Sequence, residues 1–268
     1  MSAAQVESRS VRVKDDGLEG LEQTVVVCAP ETTTSRSTGE DEEVLFVVEG
    51  RGELRLSDGT RHSLEPETGV NLGPGEKYEL SSEASGPMRM VCVRVRGRAV
   101  PGGSGDAAGP AARTGPTGPT GPVGAAASSG DGGAEDGRAR TVVRRLADVV
   151  AQDATTERMF RIVADPATGL RGATHFVGYV PPTRAPDHFH TYDEVIYVLE
   201  GEGAFHAGGT SRPLSAGSCI ELPARTIHCL ENTGQDTMRL VAVFQPPGSP
   251  AAAYYPDGTP AYPGTPTI

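Results

Sequence analysis

The chain has 268 residues, of which 37% are hydrophobic, 35 are glycine and 22 are proline. Its formal net charge of −11 and isoelectric point near 5.0 give a surface that repels nucleic-acid phosphates and anionic lipids. We therefore expect a small-molecule partner and neither nucleic-acid nor membrane binding. The length indicates two domains, and the abundance of glycine and proline favours an all-β fold with short strands and many turns.

The N-terminus lacks the basic and apolar regions of a signal peptide, and no window approaches the roughly 18 apolar residues of a membrane span. We therefore expect a cytoplasmic protein. The four cysteines stand singly in apolar, strand-like segments without Cys-x2-Cys spacing. This pattern predicts small buried residues, and neither disulfides nor a zinc cluster, at Cys28, Cys92, Cys219 and Cys229.

Residues 1–98 predict a first domain of antiparallel strands. Its strand-like segments are 23–28, 44–48, 53–56 and 88–95. Asp58-Gly59 follows the third segment and is typical of a hairpin turn. An antiparallel barrel or sandwich is expected, with His62 as an exposed strand residue beyond the turn.

Residues 99–140 are dominated by glycine, alanine, proline, serine and threonine, and nothing in them can form a core. The Gly-Pro triplets at 115–122 are too few for a collagen-like triple helix, so a disordered linker is predicted. A coil of roughly 40 residues spans about 35 Å. That reach allows two folded domains to pack side by side.

Residues 141–248 predict a second domain of the same class, closed by a strand at 238–244. Other strands are expected at 160–164 and 173–180. Residues 141–150 fit either a short helix or an edge strand, because periodicity does not decide between them. The Pro- and Tyr-rich tail, residues 249–268, is expected to be irregular and to lie over the domain or a partner.

The second domain carries the histidines that define a candidate metal site. His188 and His190 are two apart on a predicted strand and therefore project from one face, and Glu194 returns to that side four residues later. A second apolar strand breaks at Pro223 and delivers His228. The predicted ligand set is His188, His190, Glu194 and His228.

This pattern resembles the two motifs of the cupin superfamily. The first motif is matched at His188, His190, Glu194 and Gly201, and the second at Gly217, Pro223, His228 and Asn232. Two positions depart from it, since Arg225 and Thr183 stand where the family has glycine. The resemblance implies a double-stranded β-helix, or jelly-roll, barrel that binds a metal.

An internal repeat extends the resemblance to the first domain. Glu43-x6-Gly50-x-Gly52 repeats the pattern Glu194-x6-Gly201-x-Gly203, so the chain resembles a bicupin with two barrels joined by the linker. At a constant offset, Ser37 and Gly39 stand for His188 and His190, and Tyr78 or Glu79 stands for His228. Only Glu43 survives, and one carboxylate without imidazoles does not hold a transition metal. One metal per chain is therefore predicted.

Three imidazoles and one carboxylate suit Fe, Mn, Ni, Co, Cu or Zn, whereas Mg and Ca prefer oxygen ligands. Such a set leaves positions open on an octahedral metal. Strand alternation directs Tyr197 away from the ligands. Candidate pocket residues beyond the ligands are His175, His206, Tyr192 and Arg184.

Three functions are compatible with these observations. The first is a metal-dependent cupin enzyme acting on a small oxygen-chelating metabolite, either a dioxygenase or a redox-neutral cyclase, isomerase or lyase. The second is a hydrolase similar to the bicupin ureidoglycine aminohydrolases. The third is a non-catalytic binding cupin. No helix-turn-helix pattern accompanies the barrels, which disfavours a transcription regulator; the two barrels are expected to pair within the chain, and a homo-oligomer stays open.

Overall fold

A computed structural model describes residues 5–7, 10–12, 18–97, 142–154, 157–263 and 265–268. The predicted linker, residues 99–140, lies outside the described residues. Within them the regular structure consists of β-strands and two short 3-10 turns, which confirms the all-β prediction. No helix in the described part of the chain is long and apolar enough to cross a membrane.

Ten strands of the described residues precede the segment 98–141, which the structure does not describe. They are β1 (Gln5–Glu7), β2 (Ser10–Arg12), β3 (Leu21–Cys28), β4 (Thr33–Ser37), β5 (Glu42–Glu49), β6 (Gly52–Leu56), β7 (Arg61–Leu64), β8 (Thr68–Leu72), β9 (Lys77–Ser82) and β10 (Met88–Val95). The predicted hairpin turn joins β6 to β7, with Gly59 at a φ of 89° and the Asp58 carboxylate accepting a hydrogen bond from the Thr60 amide.

Ten strands follow it. They are β11 (Val142–Arg145), β12 (Gln152–Asp153), β13 (Met159–Ala164), β14 (Thr174–Val180), β15 (Asp193–Glu200), β16 (Glu202–Ala207), β17 (Thr210–Ser215), β18 (Cys219–Leu222), β19 (His228–Asn232) and β20 (Met238–Gln245). The 3-10 turns are Leu146–Asp148 and Pro166–Thr168.

The strands form two barrels, each from a large and a small sheet. The N-terminal barrel has the orders β1-β3-β10-β5-β8-β11 and β4-β9-β6-β7. The C-terminal barrel has the orders β12-β13-β14-β20-β15-β18-β2 and β17-β16-β19. This is the double-barrel fold that the motifs and the internal repeat predicted.

One strand from each half of the chain pairs with a sheet of the other barrel. Strand β11 pairs antiparallel with β8 of the N-terminal barrel, and β2 pairs parallel with β18 of the C-terminal barrel. Residues 142–145 are therefore an edge strand and not a helix, which resolves the alternative left open by the sequence. The exchange links the halves of the chain through backbone hydrogen bonds.

The two barrels also share one apolar layer, built from alternate residues of their central strands. On β10, Val91 and Val93 join this layer, while Met90 and Cys92 fill the N-terminal barrel. The same alternation operates on the C-terminal side. The residues that β14, β15 and β20 contribute to the layer are Val177, Val195, Tyr197, Val241 and Val243.

All four cysteines are free and buried, as predicted. Two of them, Cys28 and Cys92, lie in the core of the N-terminal barrel, and Cys219 joins the shared layer. Tyr197 is also part of that layer, so it points away from the histidines, as strand alternation predicted.

His175 lies at the junction of the barrels. It is 1% exposed and meets the ring of Phe46 edge-on at a centroid distance of 6.0 Å. Its Nδ1 atom has no hydrogen-bond partner among the described residues. Burial lowers the pKa of His175 from 6.5 to about 3, so the imidazole is neutral in the folded protein.

This depressed pKa predicts an acid-dependent loss of stability. The unfolded chain binds the proton first as pH falls, so the contribution of His175 is intact above about pH 6.5 and is lost progressively towards pH 3. Relative to a His175→Phe variant, the wild-type free energy of unfolding should drop by about 2 kcal/mol between pH 7.5 and pH 5.0. Denaturant titrations at both pH values measure this difference. An identical pH dependence in the two proteins would contradict it.

Candidate metal centre

Three histidines meet inside the C-terminal barrel. His188 and His228 are joined by a pair of backbone hydrogen bonds, with N–O distances of 3.0 and 2.8 Å, and so stand directly opposite each other. His190 follows two residues later on the same face. One ring nitrogen from each histidine lies within 4.8 Å of the others, which is a spacing that can hold a metal ion.

Backbone carbonyls fix the orientation of all three rings. Nδ1 of His188 lies 2.8 Å from the Pro186 oxygen, and Nδ1 of His228 lies 2.9 Å from the Thr226 oxygen. Nδ1 of His190 lies 2.8 Å from the Ala252 oxygen. A carbonyl only accepts hydrogen bonds, so each Nδ1 carries the proton and each Nε2 presents its lone pair. This is the arrangement in which imidazoles bind metals.

The electrostatics keep these imidazoles neutral. Burial is the largest cause that lowers the pKa of each ring, and the pKa of His190 falls to about 3. The neighbouring imidazoles lower the pKa values of His190 and His228 further. At neutral pH the cluster therefore offers three uncharged nitrogen donors, and it has no proton to lose before a metal binds.

Glu194 lines the same cavity but stands outside the cluster of three nitrogens. Its side chain is 5% exposed, and burial raises the pKa of its carboxyl group to about 8. No partner that favours the carboxylate offsets this burial among the described residues. A cation beside Glu194 would supply the missing compensation, so the residue fits the role of fourth ligand that the motif assigns to it.

The cavity beside the histidines has a volume of about 100 Å³. Its polar lining includes the three histidines, Glu194, Tyr192, Tyr179 and Arg158, and its apolar lining includes Phe160, Phe176, Ile196, Phe205, Leu230 and Leu240. Apolar walls lower the local dielectric constant and so strengthen electrostatic interactions at the polar groups. A cavity of this volume could fit a small molecule but not a polymer.

Tyr192 is the one predicted pocket candidate that lines this cavity together with the clustered histidines. Its ring stacks on His190 at 4.7 Å and on Phe244 at 3.9 Å, and the residue is 5% exposed. Burial, and then the nearby Glu194, raise the pKa of Tyr192 well above 10. The phenol therefore stays protonated at neutral pH and can donate a hydrogen bond.

The remaining pocket candidates do not line this cavity. His206 and Arg184 line a neighbouring groove, which His228 also lines, because Phe205 takes the inward position on β16 and directs His206 outward. Nε2 of His206 lies 2.8 Å from the Glu231 carboxylate. His175 faces the shared layer, because its neighbour Phe176 fills the barrel.

Two features of the site were missed from the sequence. Arg158, just before β13, lines the cavity. The tail also contributes, since Pro250, Ala251 and Ala253 line the cavity and Ala252 holds His190. The proline-rich composition predicted that the tail covers the barrel or a partner, but no local signal shows that it contacts a ligand.

Tyr254 holds the tail in place. It is 2% exposed, exchanges backbone hydrogen bonds with Phe189, and its ring stacks on that of Phe189 at 5.4 Å. Phe189 lies between the first two histidines. The tail is therefore a structural part of the candidate metal centre.

Arg225 stands where the resembling motif has glycine. Its φ of 62° is in the left-handed region that glycine favours, and its amide donates to the His190 carbonyl at 2.7 Å. The chain thus retains the backbone shape of the motif without the glycine, at a cost of about 1 kcal/mol. The departure does not disrupt the site.

In the N-terminal barrel, other residues occupy the positions that correspond to the histidines of the C-terminal barrel. In the strand registers, Tyr78 pairs with Leu56 and with Arg36, as His228 pairs with Ala207 and with His188. Tyr78 therefore occupies the place of His228, and Arg36, not Ser37, occupies the place of His188. One additional residue between Arg36 and Glu43 displaces the constant offset.

Arg36, Glu43 and Tyr78 form a closed polar cluster. The guanidinium lies 2.6 Å from one oxygen of the Glu43 carboxylate, and the Tyr78 hydroxyl donates to the other at 2.8 Å. Nε of Arg36 donates to the Tyr78 oxygen at 2.8 Å. A fixed guanidinium thus neutralises the surviving carboxylate in the N-terminal barrel.

Comparison with known proteins matches residues 175–244 to the family model described as Cupin domain. The chain is 38% identical over 51 residues to the oxalate-binding protein of Thermotoga maritima, covering 19% of this chain and 42% of that protein. It is 30% identical over 79 residues to auxin-binding protein 1 of Arabidopsis thaliana, covering 26% of this chain and 40% of that protein. The chain therefore spans less than half the length of either relative.

The fold also matches solved structures. A structure of Bacillus subtilis oxalate decarboxylase, a protein with Mn(II) centres, superposes with a TM-score of 0.58 at 13% sequence identity. The match covers 90% of this chain and 72% of the other. At this identity the similarity shows the fold alone.

Metal should bind once per chain, because only the C-terminal barrel brings imidazoles together among the described residues. His190→Ala removes one donor and should leave less than a tenth of the bound metal. Glu43→Gln is the matched control in the other barrel and should leave the content unchanged. Elemental analysis after desalting measures both, and two metals per chain, or full content in His190→Ala, would contradict the assignment.

Tyr254→Ala should weaken metal binding about tenfold, because it frees the tail whose Ala252 carbonyl orients His190. The adjacent Tyr255 is 39% exposed, so Tyr255→Ala is a suitable control. Competition titrations with a chromogenic chelator measure both affinities. Equal affinities in the two variants would show that the tail does not support the site.

Proposed function

The chain belongs to the cupin superfamily, and from that premise we propose that its C-terminal barrel is a metal-dependent enzyme site. The substrate is a small metabolite that chelates the metal through oxygen. The carrying observation is geometric: three oriented imidazoles converge at one side of a small apolar cavity, and space for a substrate lies beside them.

The donor set determines which metals fit. Nitrogen donors with one carboxylate suit Mn, Fe, Co, Ni, Cu or Zn, and we propose that Glu194 is the fourth ligand. The Mn(II) centres of a structurally similar protein support a metal from this group. A divalent metal held here would supply Lewis-acid or redox chemistry to a bound oxygen ligand.

The protein residues would bind and orient the substrate. Tyr192 offers a neutral hydroxyl donor, and the aromatic walls exclude bulk water. A barrel that both holds a metal and leaves adjacent space differs from a closed structural site, in which protein ligands occupy all positions. The names of the two partial relatives, for oxalate and auxin, support a small-molecule ligand.

Two reaction classes are compatible with this site. One is dioxygenation; the other is a redox-neutral cyclisation, isomerisation or lysis. Oxygen consumption during turnover distinguishes them. A hydrolase, or a binding protein without catalysis, is the alternative.

Turnover should depend on His228 and not on His206. The protein is loaded in turn with each of the six metals and assayed against β-dicarbonyl compounds, 2-oxo acids and aromatic diols, with oxygen uptake recorded. His228→Ala should reduce turnover more than 100-fold, because it removes a metal donor. His206→Ala removes an imidazole outside the cavity and should change turnover less than twofold.

Two outcomes would contradict catalysis at this site. If ligands bind to the wild-type protein, bind more weakly to His228→Ala and are not turned over with any of the metals, the barrel is a binding module. Turnover that survives in His228→Ala would place the chemistry outside this cavity.

A further inference from the structure

Arg158 occupies an unusual position in the C-terminal barrel. It is the residue before β13, and its carbonyl accepts a hydrogen bond from the Ala154 amide at 2.8 Å. Glu157, which precedes it, has a φ of 58°. The side chain enters the cavity that the three histidines line.

Only some of the N–H donors of the Arg158 guanidinium group have a hydrogen-bond partner in the described part of the chain. Its Nη2 donates to the Leu230 carbonyl at 2.5 Å, and its Nε is buried without a hydrogen-bond partner among the described residues. No Asp or Glu of the described chain lies within ion-pair distance of it. An arginine stays charged in proteins, and a buried charge without a counter-ion is costly.

Two other arginines of the chain, Arg36 and Arg239, lie beside carboxylates. Arg36 is paired with Glu43, and Arg239 contacts both Glu67 and Glu200. Arg158 instead lines the same cavity as the three histidines and Glu194. A cation directed at a metal site suggests that an anion binds between them.

We propose that Arg158 binds the carboxylate of the substrate, so that the enzyme selects small 2-oxo carboxylates over uncharged dicarbonyl compounds. This inference rests on the proposed function. A divalent metal, one carboxylate ligand and one guanidinium sum to a net charge of about +2, which favours an anion over a neutral ligand of equal shape. Guanidinium and carboxylate also match geometrically through paired N–H donors.

The cavity limits the size of this anion. With a volume of about 100 Å³, it fits a three- or four-carbon acid better than an extended one. The apolar walls around Phe160 and Leu240 suit a methyl or ethyl group at the other end. Pyruvate and its uncharged analogue 2,3-butanedione are therefore a suitable pair of probes.

The test is calorimetric titration of Zn(II)-loaded protein with both probes. The wild type should bind pyruvate at least tenfold more tightly than 2,3-butanedione. Arg158→Met should lose this preference by weakening pyruvate at least tenfold and the dione less than twofold. Arg158→Lys keeps the charge without the paired donors and should weaken pyruvate by an intermediate factor; it also serves if the Met variant does not fold.

Arg161 provides the matched control. It donates to the Leu146 carbonyl at 2.8 Å and has a buried Nε, like Arg158, but it does not line the cavity. Arg161→Met should retain the preference for pyruvate. The Zn(II) content of every protein is measured as well. A wild-type protein that binds no Zn(II) would overturn the proposed function. A variant that keeps its Zn(II) but loses the preference for pyruvate has lost anion recognition alone. An unchanged preference in Arg158→Met and Arg158→Lys, or an equal loss for both probes, would overturn the assignment of Arg158.

Discussion

Three backbone carbonyl oxygens determine what the C-terminal barrel can bind, because each holds one imidazole by its Nδ1 atom. With their rings oriented this way, His188, His190 and His228 direct their Nε2 atoms into one small volume. Two of these carbonyls are local, two residues from the histidine they orient. The third belongs to Ala252 in the C-terminal tail, so the geometry of the site depends on the packing of a segment far from the motif.

The two barrels give different solutions to one problem, which is a carboxylate buried at the same place in each copy. Glu43 is 1% exposed and Glu194 is 5% exposed. In the N-terminal barrel a guanidinium stands beside the carboxylate, and side chains such as Leu54, Leu80 and Met90 fill the interior. In the C-terminal barrel the neighbouring groups include neutral imidazoles and a cavity, and burial raises the pKa of the Glu194 carboxyl group to about 8, so a cation bound beside it would supply a compensating charge. The first barrel then serves as a packing partner and strand donor.

The motif residues were predictable from spacing and from the two motifs together. Spacing by two along the chain directs His188 and His190 to one face, and the second motif supplies His228, which a backbone bridge places opposite His188. The face of β14 that points into the barrel was harder to predict. Both faces of this strand are apolar, so alternation alone does not say whether His175 or Phe176 faces the cavity. The exchanged strands β2 and β11 are short, and their partners lie more than 70 residues away. Arg158 and Ala252 reach the site only through such long-range packing.

X-ray absorption of the Co(II)-loaded protein tests the central claim most directly, because outer-shell scattering counts the imidazoles bound to the metal. We expect a first shell of about six nitrogen and oxygen atoms at roughly 2.1 Å, outer-shell scattering from three imidazoles, and a shell that changes when a chelating ligand is added. A four-coordinate shell that is unaffected by added ligand, a sulfur scatterer, or fewer than three imidazoles would contradict the site described here.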